Sequence, residues 1–421
     1  MKNIVNIGYI GLGRRGISVL RECFSQMKDV KISAACDKSA ARMEQAVEIV
    51  KEKSGSVPRM VMDYHEILAD PTIDAVIIMI GWSGRPGVAM ESMRAGKYTA
   101  IEVGCADTLQ ECFDLVQTYE ETKTPVMMLE NCCYGRREMM LLNMVKQGLF
   151  GEVIHCTGGY MHYLNEAELF KNIDQEEIPH YRLEQYIRRN RENYPTHELG
   201  PISKILNINR GNRMVRLNSI ASKSCGLKDY AARKFGSDSS YAQIDYKQGD
   251  VVNTIITCEG GETISLTLDT TLPRAYYSRN ISVRGTNGMS IEDTETVYIV
   301  DKIGEEAEVK NNEKEIMEKY DHPLHKEYIE CGSRGGHGGM DWLVCRAFVE
   351  SVKNGTNTPI DAYDAATWLS IGCLSEQSIA NGGAPVEIPD FTNGKWNDRE
   401  PITRGKYCLD AVCEDPQTKI F

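Results

Sequence analysis

The chain carries no surplus of positive charge. Its 48 Lys and Arg stand against 60 Asp and Glu, a net −12 over 421 residues. A chain this acidic lacks the electrostatic footprint of a nucleic-acid binder. It also has no basic amphipathic segment of the kind that lies on an anionic membrane. No apolar run approaches the roughly 18 residues that a membrane span needs. The opening MKNIVNIGYIGLG moves directly into a buried-strand pattern, without the basic region, apolar core and cleavage site of a secretory leader. A cytoplasmic location is therefore expected. The 14 cysteines include no C-x-x-C pair, which argues against a zinc site or a redox dithiol. Adjacent Cys132 and Cys133 suit neither. The cysteines read as reduced, mostly buried thiols that act as small hydrophobes, and no metal is expected. His322, His325 and His337 flank the glycine-rich CGSRGGHGG in a spacing that fits no standard ligand set. They read as a flexible loop near an oligomer contact. Repeats, low-complexity runs and long linkers are also missing.

What the chain does have is rhythm. Strand-like runs alternate with helical ones through the first third: NIVNIGYI (Asn3–Ile10), VKISAACD (Val30–Asp37), AVIIMI (Ala75–Ile80), YTAIEV and PVMMLEN. The third of these is almost continuously apolar, as a strand covered on both faces should be. Strand alternating with helix implies a doubly wound parallel sheet. The rhythm stops near Asn131. Past residue 214 the strands TIITCE, TISLTLDT, ISVRGTNG and VYIVDKI alternate polar with apolar, the mark of antiparallel sheet solvated on one face. Asn287-Gly288 reads as a hairpin turn. The expected architecture is α/β: a Rossmann domain over residues 1–131, then an α+β domain over residues 132–421 with a large, mostly antiparallel sheet. The final helices are placed so that they return onto the Rossmann domain.

GLGRRG supplies Gly11, Gly13 and Gly16 after a strand and at the start of a helix. The glycines serve the tight turn, the backbone approach to a pyrophosphate and close helix–strand packing, and the helix N-terminus meets the phosphate charge. Asp37 closes the second strand, where a carboxylate accepts the ribose 2′-hydroxyl and repels a 2′-phosphate. NAD is thus favoured over NADP. Arg15 is expected to face the diphosphate. Far downstream, NYPTHELGP sets Tyr194 and His197 three residues apart, before a helix expected to begin at Pro201, where a missing N–H is harmless. A helix N-terminus nearby favours neutral imidazole, able to accept a proton. A histidine there serves either acid–base chemistry or local capping.

A Rossmann half followed by a mostly antiparallel half resembles the Gfo/Idh/MocA oxidoreductase family. In that family the fifth strand usually ends in Glu-Lys-Pro, with the lysine at the hydroxyl that loses hydride. The matching IEVGC (Ile101–Cys105) keeps Glu102 but has valine and glycine in place of lysine and proline. The long stretch NYPTHELGPISKILNINRGNRM is similar to the signature of glycoside hydrolase family 109, the NAD-dependent α-N-acetylgalactosaminidase-like branch of that group. GLGRRG, MLENCCYGR, YMHYL, PRAYYSRNISVRGT, HGGMDW and DAYDAATWLS extend the resemblance over nearly the whole chain.

The resemblance implies Tyr160, Tyr194, His197 and Tyr277 as catalytic residues, and the same four with Arg182 as substrate contacts. Tyr276 neighbours Tyr277, so a register shift of one residue stays open. On the cofactor side it implies Arg14 and Arg15 beside the three glycines, Asp37, a loop of Trp82, Ser83, Gly84 and Arg85, then Glu102, Val103 and Asn131. Three departures bear on the substrate side or the cofactor loop. HYLN (His162–Asn165) stands where the family strand reads His-Asp-Leu-Arg, Glu198 stands where glycine is usual, and WSGR keeps only the first aromatic residue of its loop. His162 is open between catalysis and packing.

The implied function is a retaining NAD-dependent exo-glycosidase that removes a terminal sugar, α-N-acetylgalactosamine or a related hexose, by redox-assisted elimination rather than by a pair of carboxylates. One alternative is a dehydrogenase that stops at a 3-keto sugar. Another is a non-enzymatic NAD-binding regulator. The expected partners are a small carbohydrate or glycoside and further copies of the chain, as a dimer or tetramer.

Overall fold

The computed structural model describes residues 2–171, 180–305, 308–332, 334–402 and 405–411. The last part of the expected irregular tail, with Cys413, and part of the polar stretch between Leu164 and Asn193 lie outside the described residues.

Two sheets carry the architecture. The first has six strands: β1 (Val5–Ile10), β2 (Val30–Cys36), β3 (Arg59–Val61), β4 (Ala75–Ile78), β5 (Tyr98–Ile101) and β6 (Val126–Met128). Their order is β3-β2-β1-β4-β5-β6, and every pairing is parallel. β4 is buried at all four positions, as its unbroken apolar run requires. The strand order reverses between β1 and β4, which opens a crevice at their carboxyl ends. Met79 donates its N–H to the Ile10 carbonyl at 2.7 Å, and Gly11 donates to Cys36 at 2.9 Å. The strand ends that frame the crevice are thereby tied together.

The second sheet has eight strands: β7 (Val153–Met161), β8 (Met214–Ala221), β9 (Val251–Cys258), β10 (Thr263–Asp269), β11 (Ser282–Gly285), β12 (Gly288–Ile291), β13 (Thr296–Ile299) and β14 (Val386–Glu387). Its order is β13-β12-β11-β7-β10-β9-β8-β14. All pairings are antiparallel except β7 with β10. β10 alternates buried and half-buried positions along its length, the signature read from TISLTLDT. β11 and β12 form the hairpin expected at Asn287-Gly288.

The chain returns to the first sheet at its end. The Met340–Asn354 helix packs on β1 and on the short turn of helix Asn131–Tyr134, and the Ala362–Ala380 helix packs on β8 and on the Leu109–Thr122 helix. Among the described residues no helix is long and apolar enough to cross a membrane.

The helix expected to open at Pro201 begins instead at Thr196 and runs to Ile205, with Pro201 inside it. Packing overrides the proline. Gly200 leaves room for Glu130, because a Cβ there would lie 2.8 Å from Glu130 Cγ. At its far end Lys204 and the nearby Arg210 bond Asp364, each at 2.8 Å, and Arg210 also reaches Asp361 at 3.0 Å. These buried pairs lock the helix to the start of Ala362–Ala380.

Candidate active site

The glycine turn lies at the crevice. Gly11 has φ +95°, and a Cβ there would stand 2.7 Å from the Met79 backbone. At Gly16 a Cβ would stand 2.2 Å from the Gly11 carbonyl oxygen, so this residue sets how closely the Arg14–Glu22 helix approaches. Gly13 differs: a Cβ there meets nothing within 4 Å. Its open side is the space that a pyrophosphate requires above a helix N-terminus. Asp37 accepts the Leu12 N–H at 2.7 Å and the Ser39 N–H at 2.9 Å. The carboxylate is thus held beside the turn, where a ribose diol would meet it. The cradle and the acid fit NAD.

The other residues expected around the cofactor divide by what they touch. Trp82 is buried beside Gly104, where a Cβ would fall 2.2 Å from the indole Nε1. This is the physical reason for glycine in IEVGC. Arg85 is also buried. It donates to the Ile80 carbonyl at 3.1 and 2.7 Å, to Glu102 at 2.5 Å and to Val103 at 2.6 Å. Arg85 braces the loop against the end of β5, whereas the sequence had placed it facing cofactor. Ser83 is exposed and Val103 buried. Arg15 does not reach toward the glycine turn. Its Nε donates to Glu102 at 3.1 Å, and its two Nη atoms fork onto Asp341 at 2.7 and 2.8 Å. Asn131 Nδ2 donates to the same Asp341 at 2.7 Å. Arg14 bonds the Ala167 carbonyl at 3.0 Å, in the other half of the molecule.

The sugar-side residues converge on one another. Tyr160 on β7 and Tyr194 lie with ring centroids 4.4 Å apart, and His197 is 4.8 Å from Tyr194 and 5.6 Å from Tyr160. His162 and Tyr277 join at 6.0 and 6.3 Å from Tyr160. Tyr276 points elsewhere, beneath Arg274 at 5.1 Å, so Tyr277 is the member of the pair that meets the cluster. Arg182 lies over Tyr194 at 4.7 Å and over Trp82 at 5.6 Å. It donates to Glu168 at 2.7 Å, and its buried Nε has no partner among the described residues. Trp82 lies 6.0 Å from Tyr194, so the loop at the sheet edge and the tyrosine–histidine cluster are continuous.

Behind the cluster stands a group that the sequence reading overlooked. Glu130, fully buried, accepts from His197 Nδ1 at 2.8 Å and from the Cys132 N–H at 2.9 Å. Burial alone would push this carboxyl up, but the imidazole and its hydrogen bonds hold it below the usual carboxylate range. A carboxylate at Nδ1 leaves Nε2 as the nitrogen free to move a proton. Burial raises the Tyr160 and Tyr194 hydroxyls well above an ordinary phenol, and it lowers His162. Glu130, Cys132 and His197 also bring one donor atom each within 4.8 Å of one another, a grouping that sequence spacing did not point to. MLENCCYGR contained the signal: Glu130 precedes Asn131 in a motif already singled out.

Of the three downstream histidines, His322 and His325 are buried rather than part of a flexible loop. His322 accepts the Leu324 N–H and so caps the Pro323–Glu330 helix. His337 lies 2.8 Å from Asp341.

Comparison with known proteins bears on the family and the fold. The sequence model for "Glycosyl hydrolase 109, C-terminal domain" matches residues 134–398, and that for "Oxidoreductase family, NAD-binding Rossmann fold" matches residues 5–130. The chain belongs to glycosyl hydrolase family 109. A family 109 protein of Stenotrophomonas maltophilia is 38% identical, over 96% of this chain and 93% of its own length. The α-N-acetylgalactosaminidase of Tannerella forsythia is 36% identical, over 94% of this chain and 88% of its own length. Among solved structures, scyllo-inositol dehydrogenase from Lactobacillus casei with bound NAD(H) and scyllo-inositol matches at a TM-score of 0.62 and 13% identity, covering 91% of this chain and 99% of that one. At that identity the likeness is one of fold. As a family 109 member with an NAD-binding Rossmann half, the protein is a glycoside hydrolase whose cofactor is NAD.

Proposed function

We propose that this family 109 protein is an exo-glycosidase that removes a terminal α-N-acetylgalactosamine or related hexose through transient oxidation at C3 of the sugar. The observation that carries the reading is the continuity of the Trp82 loop with the Tyr160–Tyr194–His197 cluster. Proton-transfer groups stand where a sugar would meet the end of the NAD crevice. The α-N-acetylgalactosaminidase named among the relatives supports the substrate class.

Bound NAD⁺ supplies the hydride acceptor at C3, and in reduced form the donor that restores it. The chain's own residues handle the protons. The 3-hydroxyl proton passes to His197 Nε2, beside Tyr194, as the C3–H bond breaks. A 3-keto group acidifies the C2 proton, which a base of the same cluster removes; the C1–O bond then breaks, and the aglycone oxygen takes a proton from the cluster and leaves as its alcohol. Water adds at C1 as C2 regains its proton. His197, held by Glu130, shuttles a proton through Nε2. Tyr160 and Tyr194 stay protonated and act as donors. Arg182 and Tyr277 orient the sugar, with the unpartnered Arg182 Nε available to a sugar oxygen. Glu102 and Asn131 hold the nicotinamide ribose and amide. We place the protein in the cytoplasm as a homo-oligomer; exposed Ile220 and Ile255 on the second sheet support association through that sheet's outer face.

A panel of p-nitrophenyl glycosides of both anomers, with NAD⁺ present, tests the reading when nitrophenolate release and absorbance at 340 nm are followed together. Release without net NADH is the expected result. NADH accumulation without release would move the protein to the 3-keto-forming dehydrogenases.

A further inference from the structure

Two residues expected around the cofactor, Arg15 and Asn131, bond one carboxylate from far along the chain. Asp341, second residue of the Met340–Asn354 helix, is 1% exposed. Each of its oxygens accepts two hydrogen bonds. Oδ1 receives Arg15 Nη2 at 2.8 Å and Asn131 Nδ2 at 2.7 Å. Oδ2 receives Arg15 Nη1 at 2.7 Å and lies 2.8 Å from His337 Nδ1. Arg15 in turn gives its Nε to Glu102 Oε2 at 3.1 Å, and the Val103 N–H bonds Glu102 Oε1 at 3.2 Å.

This wiring sets the hydrogen-bonding polarity of the crevice. A carboxylate accepts and cannot donate, so it admits only one orientation of the Asn131 amide, with NH₂ toward Asp341. The Asn131 Oδ1 is then turned away and takes only the long Cys132 thiol contact at 3.7 Å. Glu102, held by Arg15, is likewise an acceptor. Two acceptors joined through Arg15 and Asp341 suit a vicinal diol, whose two hydroxyls donate. Of the parts of NAD, the nicotinamide ribose is the one that brings such a diol to the ends of β5 and β6.

We propose that Asp341 is a positioning residue of the cofactor site: acting through Arg15 and Asn131, it orients the two acceptors that grip the nicotinamide ribose. The fork from Arg15 gives the arrangement its geometry, because a planar guanidinium bonds both oxygens of Asp341 and Glu102 in one plane. His337 adds a partner at the solvent side, its imidazole being exposed. Among the described residues no side-chain hydrogen bond joins Asp37 to this network, its partners being the Leu12 and Ser39 N–H groups, so the adenosine ribose is held separately. The inference rests on the cofactor assignment above.

The test is calorimetric titration of cofactor-free protein with NAD⁺ and, separately, with ADP, which keeps the adenosine and pyrophosphate but lacks the nicotinamide ribose. Asp341→Asn should weaken NAD⁺ binding by about tenfold or more, the scale of a lost charge-assisted hydrogen bond. ADP affinity should stay within about twofold. Arg15→Lys keeps the charge without the fork and should show the same selectivity, which keeps the question open to decision if Asp341→Asn fails to fold. Unchanged NAD⁺ affinity in the folded variants would overturn the proposal. Equal loss of NAD⁺ and ADP would overturn it too, since that result assigns Asp341 to the shape of the glycine turn. Wild-type protein that bound ADP and NAD⁺ equally would show that no nicotinamide-side grip exists. Wild-type protein that bound neither would instead refute the cofactor assignment itself.

Discussion

His197 presents Nδ1 to the Oε1 of Glu130 at 2.8 Å, and Glu130 is completely buried. The pair faces inward, so the opposite edge of the imidazole is left to the tyrosine cluster. A buried carboxylate at Nδ1 holds the ring orientation and steadies the charged form when a proton arrives, as in other histidine–acid pairs. His197→Ala should reduce turnover by on the order of 10³-fold, and Glu130→Gln by about 10²-fold or more, since amide replaces charge at nearly the same shape. NAD⁺ affinity should hold in both. Steady-state kinetics with titration of the cofactor decides it; wild-type turnover in His197→Ala would remove the histidine from the mechanism.

The glycine turn offers a contrast between two alanines. Gly13 has φ −64° and free space at its Cβ direction, so Gly13→Ala should leave the melting temperature without cofactor nearly unchanged. It should still weaken NAD⁺ by tenfold or so, because the methyl stands where the pyrophosphate needs backbone. Gly16→Ala drives a methyl into the Gly11 carbonyl and should lower stability by about 1–3 kcal/mol. Thermal melts with and without NAD⁺ separate the two. Matching behaviour in both variants would contradict this division of labour.

Asp37 predicts the choice of dinucleotide. Its carboxylate is held by the Leu12 and Ser39 N–H groups, and a 2′-phosphate would meet it as a like charge. Asp37→Ser should weaken NAD⁺ and narrow the gap between NAD⁺ and NADP⁺. An unchanged ratio of the two affinities would place the adenosine ribose elsewhere.

Stability should fall on the alkaline side. Glu192 and Glu198 are fully buried, and among the described residues no other residue bonds either oxygen of Glu198. Burial pushes both carboxyls up, Glu192 to about 8, and the neighbouring Glu192 charge adds to the cost of ionising Glu198. In the unfolded chain both ionise near pH 4.3, roughly the ordinary glutamate value. Between that pH and about 8 the native state holds more protons than the unfolded one. Stability is therefore greatest below the unfolded value and is lost as pH rises through the folded one. Glu198→Gln should flatten this decline and melt higher than wild type at about pH 9. Asp341 titrates in the opposite sense: burial opposes its charge, but Arg15 and His337 hold it well below the usual range, so its contribution is lost as pH falls. Melting curves across pH for wild type and variant are the measurement; parallel slopes would exclude the buried acid pair as the cause.

Much of the cofactor crevice was legible because it is local. GLGRRG, the strand before it and Asp37 after the next strand lie close together in sequence, and each glycine answers a steric demand of one turn. Tyr194 and His197 were legible for the same reason, as neighbours at a helix start. The roles of the arginines were not. Arg15 looks like a phosphate ligand until Asp341, 326 residues away, takes its fork, and Arg85 looks available until the carbonyls at the end of β5 consume it. Glu198 was visible as a departure from the family pattern, but its full burial beside Glu192 was not.

The sequence by itself determined the alternation of strands and helices, the change to antiparallel sheet, the glycine turn and the family. These follow from periodicity, from the absence of a Cβ and from short motifs, all properties of neighbouring residues. Tertiary structure alone decided that Glu130 stands behind His197, that Tyr277 rather than Tyr276 meets Tyr160, and that Asp341 joins Arg15 to Asn131. Such pairings depend on where sheet edges and returning helices bring distant side chains together, and on which buried charge finds its partner there.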